Sequence, residues 1–200
     1  MEETEPKTFS TPWILWVHKV DDENWEKSSY IKLAKFNNIQ DFWNIYNNWD
    51  ELLPPLDYGI FFLMRENIFP KWEDKYNING GCWSLRIVKT EIRNVWDELS
   101  MAIMGEYLTN DSKENSNLNG LSISPKRSFC VIKIWSSQCE DIDTGIFSDI
   151  PFFIILLIAL ISNNSKELVG IKIIFDFPPG LWALLPALWI SLAKFFALPI

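Results

Sequence analysis

A tryptophan and a carboxylate stand side by side in Pro70-Lys-Trp-Glu-Asp74, shortly before the glycines and tryptophan of Asn79-Gly-Gly-Cys-Trp83. Few ligands want that pair. A cationic planar base such as 7-methylguanine gains from lying between electron-rich indoles, about 2 kcal/mol per cation–π contact once desolvated. Its N1–H and N2–H₂ edge offers two donors at the spacing of one carboxylate, in charge-assisted bonds worth about 1.5–3 kcal/mol each. Trp72 and Glu73 carry this chemistry. The plainer duties are core packing for an indole and turn capping for Glu73, and a structural role suits Asp74 better than Glu73. Trp25 lies in the polar run Asp21-Asp-Glu-Asn-Trp-Glu-Lys. An indole on such a loop fits a ligand platform better than a core.

The chain of 200 residues is 48% apolar and 15% aromatic, enough for one domain with a sizeable core, and this excludes a disordered chain. Eleven tryptophans exceed what packing alone asks for. With 18 basic and 26 acidic residues the net charge is −8, which argues against a duplex-DNA binder but leaves room for a single-nucleotide pocket. Three cysteines, Cys82, Cys130 and Cys139, with no CxxC spacing fit neither a disulfide framework nor a zinc site and imply a reducing compartment. The opening MEETEPKTFSTP has no basic and apolar signal pattern.

Strands are expected at Trp13 to Lys19, Trp83 to Val88 and Phe129 to Trp135, all rich in aromatic and branched residues. Apolar residues at steps of three and four predict helices over Ile39 to Trp49, with Asn37-Asn38 as a cap, and over Glu91 to Gly105, with Gly105 as the stop. Asp111 to Asn119 reads as a mobile polar loop. The mixture gives an α+β fold, a sheet with helices on one face.

Eight tryptophans at characteristic spacings, Trp13, Trp16, Trp25, Trp43, Trp72, Trp83, Trp96 and Trp135, with PxWED and GGxW in order, resemble the eukaryotic translation initiation factor 4E family, which binds the 5′ cap of messenger RNA. The resemblance runs from about Trp13 to Glu140. It implies a curved antiparallel sheet with about three helices on its convex face and the cap on the concave face. The cap base would stack between Trp25 and Trp72, Glu73 would read the guanine edge, and Trp135 would touch the N7-methyl. Trp13, Trp16, Trp83 and Trp96 would be core or scaffold.

The family's phosphate-binding cations match less well. Its arginine falls on Lys126, its partner lysine on Val131, and the basic residue often found in GGxW is Cys82. Arg127 substitutes for Lys126 if the loop shifts by one, and strand alternation puts Lys133 on the face of Trp135 and Val131. Weaker cap affinity and a shallower salt dependence are expected. The resemblance further implies a convex docking site for a partner's amphipathic helix, borne by the large scaffold subunit of the cap-binding complex or by a competing repressor. The matching positions are Ile39, Trp43, Glu98, Met101 and Gly105, and Asp97 stands where an apolar residue is usual.

The expected division is a disordered arm over 1–11, a cap-binding domain over 12–177 and an atypical apolar tail over 178–200. Within it, Ile150 to Ile161 is too short to span a bilayer and reads as a buried helix, Ile171 to Phe177 as a strand. The tail is long enough for a span but contains Pro186 and Lys194; a membrane tail is the lesser reading beside a divergent or wrongly predicted chain end. The function expected is a cytoplasmic, non-enzymatic cap-binding protein without cofactor or metal that recruits messenger RNA. The alternative is a cap-binding repressor or regulatory paralogue. An enzyme acting on nucleotides has little support, since His18 is the only histidine and reads as a scaffold residue.

Overall fold

The computed structural model describes residues 7–138. The expected helix over 150–161, the strand over 171–177, the tail over 178–200 with its membrane alternative, and Cys139 lie outside the described residues. Six strands, β1 (Thr8–Lys19), β2 (Tyr30–Asn38), β3 (Gly59–Arg65), β4 (Gly81–Val88), β5 (Leu118–Pro125) and β6 (Phe129–Ser136), form one curved antiparallel sheet in the order β2-β1-β3-β5-β6-β4. Four helices, α1 (Ile39–Tyr46), α2 (Trp49–Leu52), α3 (Ile92–Met104) and α4 (Ser112–Asn117), accompany them.

Alternation along each strand sorts the side chains onto two faces. Trp13, Leu15 and Val17 of β1, Phe61 and Leu63 of β3, and Ile132 and Ile134 of β6 bury against Phe42 and Tyr46 of α1 and Val95, Trp96 and Leu99 of α3. The opposite face holds a smaller cluster of Tyr30, Phe62, Met64, Ile68 and Trp135, flanked by Trp16, Ile60 and Phe69. Of the four tryptophans expected as scaffold, Trp13 and Trp96 are fully buried and Trp83 packs on the same core, whereas Trp16 lies on the opposite face with its edge to Phe69.

Strand β1 begins at Thr8, inside the stretch expected as a disordered arm. Thr8 pairs with Asn38, and the Lys7 carbonyl accepts the Ile39 N–H at 3.1 Å. Pro12, which has no N–H to give, falls where the pairing with β2 shifts register, and its carbonyl accepts from Glu66 instead.

Asn38 caps α1 as expected: its side chain accepts the Asp41 N–H at 2.8 Å while the Asp41 carboxylate accepts the Asn37 N–H at 2.8 Å. The single helix expected over Ile39 to Trp49 breaks at Asn47-Asn48 into α1 and α2. The Asn48 side chain turns back to the Asn44 carbonyl, competing with the helical backbone, yet Trp49 still reaches the core. Helix α3 ends close to expectation, but the left-handed residue is Glu106 (φ 57°), not Gly105 (φ −80°). Tyr107 N–H bonds Ala102 O and Glu106 N–H bonds Ile103 O, a Schellman closure. The Glu106 carboxylate is held there by Arg65 and Ser10. Gly105 is needed for space instead, since a Cβ would come 2.7 Å from the Tyr107 ring.

The polar run Asp111 to Asn119, expected to be a mobile loop, is ordered. Asp111 caps α4 through the Lys113 N–H, and Asn115 and Asn119 are buried. Asn115 Nδ2 donates to Thr109 O and Asp111 O, both at 3.1 Å, so amides replace the apolar contacts whose lack made the run look unstructured.

Candidate functional site

Trp25 and Trp72, both about half-exposed, stand at the two ends of an aromatic floor on the concave face. The floor runs from Trp25 to Tyr30 (ring centroids 6.3 Å), Phe62 (5.8 Å), Trp135 (6.5 Å) and Trp72 (5.9 Å). Trp135 is nearly buried, with its Nε1 donating to Ser122 Oγ at 2.9 Å across the β5–β6 pair. This bond fixes the indole plane, so Trp135 is the rigid part of the floor. Glu73 is exposed beside Trp72, and its charge together with burial, the larger cause, pushes the Tyr30 phenol up from its ordinary value.

Both loops that carry the indoles are tied down by short polar side chains. Asp22 accepts the Asn24 N–H at 2.8 Å and Asn24 the Glu26 N–H at 2.9 Å, two successive turns leading into Trp25. In the Trp72 loop the Asp74 carboxylate accepts the N–H groups of Phe69 (3.3 Å) and Tyr76 (3.0 Å), the structural role expected of it. Asn77, buried, donates to Phe69 O (3.1 Å) and Lys71 O (2.8 Å) and accepts from Asn119 Nδ2 at 2.9 Å. The loop closes at Gly80, where any Cβ would sit 1.9 Å from the Ser136 carbonyl oxygen. Asn77 and Asn119 are supports of the Trp72 loop that the sequence reading missed, because their contact joins residues 42 apart that share no pattern.

Lys133 is partly exposed on the concave face, in register with Ser84 and Ser122 and two residues along β6 from Trp135, about 7 Å. Lys126 and Arg127 are exposed in the β5–β6 turn, where the Lys126 N–H bonds Phe129 O at 2.8 Å. Counting along β6 puts that turn roughly 20 Å from Trp135. Arg86, absent from the sequence reading, opposes Val131 and lies over the Phe129 ring at 3.8 Å. Alternation in β4 was the signal for it, since Cys82, Ser84 and Arg86 share a face.

On the other side of the sheet a groove of about 400 Å³ lies between α1 and α3, lined by Trp43, Glu98, Met101 and Asp97 among others. Trp43 is 42% exposed, which excludes plain core packing. Ile39, at the start of α1, is exposed, and neither it nor Gly105 lines the groove. Arg93 donates to both oxygens of Asp97 at 2.8 Å and to the Tyr46 carbonyl at 2.6 Å, bracing the two helices. Burial nevertheless pushes the Asp97 carboxyl above its ordinary value, against the pull of Arg93. Among the described residues no group of side chains could hold a metal ion, and no helix is long and apolar enough to cross a membrane.

The family model described as eukaryotic initiation factor 4E matches residues 8–150. The chain belongs to the eukaryotic initiation factor 4E family. Among curated members, initiation factor 4E-1B of Danio rerio is 30% identical over 139 residues (66% of this chain, 62% of the relative), and the Homo sapiens factor 4E is 29% identical over 136 (64% and 60%). The matched part thus spans about 60% of these relatives' length. Among solved members of the family, C. elegans eIF4E-3 in complex with the 4E-binding protein Mextli and a cap analog has a TM-score of 0.60 at 21% identity, covering 81% of this chain and 88% of that one. Schistosome eIF4E complexed with m7GpppA and 4E-BP has a TM-score of 0.60 at 19% identity, covering 82% and 86%. These likenesses give the fold, and it is the curved α+β sheet that the family resemblance implies.

Proposed function

We propose that this chain is a cytoplasmic, non-enzymatic binder of the 7-methylguanosine 5′ cap that recruits messenger RNA to the translation machinery through a helical partner docked between α1 and α3. The observation that carries it is the aromatic floor ending in two half-exposed indoles, with the exposed Glu73 carboxylate next to one of them. Trp25 and Trp72 take the faces of the base, Glu73 its N1–H and N2–H₂ edge, and Trp135 the N7-methyl. Lys133 takes the nearer phosphates, with Lys126 and Arg127 reserved for more distant ones. Relatives of this fold were solved with cap analogues and 4E-binding proteins together, which supports two separate surfaces.

Tryptophan fluorescence quenching by 7-methylguanosine triphosphate against guanosine triphosphate tests this. Strong quenching by the methylated ligand alone, lost in Trp72→Ala and Glu73→Ala, is the expected result. Equal quenching by both ligands refutes it.

Asp97 in the groove and the reduced set of cations favour a second reading, a cap-binding repressor that does not support initiation. Added to a translation extract depleted of its own factor 4E, a recruiter restores cap-dependent synthesis, whereas a repressor leaves the depleted extract inactive and inhibits a complete one.

A further inference from the structure

His18 is a fully buried ring on the concave face, read from sequence as scaffold. Its imidazole lies parallel to the Trp25 indole, centroids 4.0 Å apart and planes 3° apart. The other described ring pairs on that face are inclined by 49° or more. His18 Nε2 is also 2.9 Å from the carbonyl oxygen of Asn24, the residue immediately before Trp25. A carbonyl only accepts, so Nε2 carries the proton and donates, leaving Nδ1 buried with no hydrogen-bond partner among the described residues.

A phenyl ring could stack on the indole without stranding a nitrogen, but it has no N–H to give to Asn24. What the imidazole adds is the bond to Asn24, so a single side chain fixes both the indole of Trp25 and the backbone that carries it. With one face of Trp25 resting on His18 and the side chain still 47% exposed, the open face is the one presented to a ligand.

We infer that His18 is a positioning residue for Trp25, holding the indole flat as a preorganised platform for a stacking base. This role presupposes that Trp25 receives the cap base. An indole without that support must be immobilised when the ligand arrives, and the ordering is charged against affinity. His18 touches no ligand itself and acts only through Trp25 and Asn24.

The experiment is a double-mutant cycle on the full chain, titrated with 7-methylguanosine triphosphate, with thermal melting of each variant in parallel. His18→Ala is expected to weaken binding about fivefold in the wild-type background and less than twofold in the Trp25→Ala background. His18→Phe, which keeps a stacking ring but loses the Asn24 bond, is expected to weaken binding about threefold in the wild-type background and not measurably in the Trp25→Ala background, and it carries the cycle if His18→Ala melts below the working temperature.

Equal losses in both backgrounds, or no loss with either variant, overturn the role. If the wild-type chain itself does not discriminate the methylated ligand, the cap reading fails and the platform role falls with it. Discrimination by wild type with an additive cycle overturns the platform role alone.

Discussion

Trp72 and Trp43 are exposed to nearly the same degree, 45% and 42%, yet they are held in different ways. Trp43 projects from α1, whose backbone is fixed by its own hydrogen bonds, by the Asn38 cap and by Phe42 and Tyr46 buried beneath. Trp72 projects from a loop fixed by the side chains of Asp74, Asn77 and Asn119. A helix brings its rigidity with it, so its exposed face is free to be apolar and serve a partner. A loop must be tied down by buried polar groups, and each tie is satisfied only while the whole set is in place. The concave face is therefore the more fragile to changes in residues that never meet a ligand.

The largest effect expected on this contrast is at Trp72 itself. Trp72→Ala should weaken binding of 7-methylguanosine triphosphate by roughly 10- to 100-fold, the worth of one base–aromatic stack. The melting temperature should stay within a degree or two, since a half-exposed ring contributes little to the core. Trp43→Ala is its mirror image, expected to cost a helical partner peptide roughly 30-fold as a central aromatic anchor while leaving cap binding unchanged. Isothermal titration of each variant with both ligands checks the pair. Loss of both activities in either variant would mean that the two faces do not work independently.

Asn77→Ala sharpens the comparison because Asn77 belongs to neither contact surface. Its removal leaves the carbonyls of Phe69 and Lys71 and one Asn119 donor short of partners, costing about 2–3 kcal/mol of stability. Cap affinity should fall several-fold with it while partner binding holds. No comparable uncoupled loss is expected from an exposed change on α1, such as Gln40→Ala.

The cations come next in size. Lys133→Ala should reduce the slope of log affinity against log salt by about one, and Lys126→Ala by less, since its turn lies farther along the strand. Arg86→Ala probes whether the row continues. An unchanged slope for Lys133→Ala and a reduced one for Lys126→Ala would make Lys126, the position matching the family's arginine, the main phosphate contact.

What could be read from the sequence divides along the same line. Residue type and spacing singled out Trp72 and Glu73 as candidates and the family resemblance added Trp135, while alternation alone put Lys133 on the face of Trp135, because strand pleat is a local property. The α1 and α3 stripes were legible for the same reason. The breaks in pattern were not: Asn47-Asn48 divides a helix whose apolar spacing continues to Trp49, and Glu106 takes a left-handed conformation with its carboxylate bound by Arg65, forty-one residues away, and by Ser10, ninety-six away. The run Asp111 to Asn119 looked unstructured because asparagines were read as solvated, when Asn115 and Asn119 spend their amides on buried carbonyls. Strands β2 and β3 also went unread, β2 mixing lysines into an edge strand and β3 being apolar on both faces.

The smallest effect concerns Asp97, the residue that sets this groove apart from an apolar one. Burial raises its folded pKa above the 3.8 of an unstrained aspartate despite Arg93. In the interval between those two values the folded chain binds more protons than the unfolded one, so stability contributed by this group falls as pH rises through it and is fully present only at lower pH. Asp97→Asn removes that dependence. The difference in unfolding free energy between wild type and Asp97→Asn, followed by urea denaturation from pH 4 to 7, should shift against wild type as pH rises. A partner helix that covers the groove removes more water from Asp97 and steepens the trend, so its affinity for wild type, relative to Asp97→Asn, should also weaken with rising pH. A trend of opposite sign would mean that the ion pair with Arg93 outweighs burial, and that the charge helps to hold α1 against α3 rather than taxing the groove.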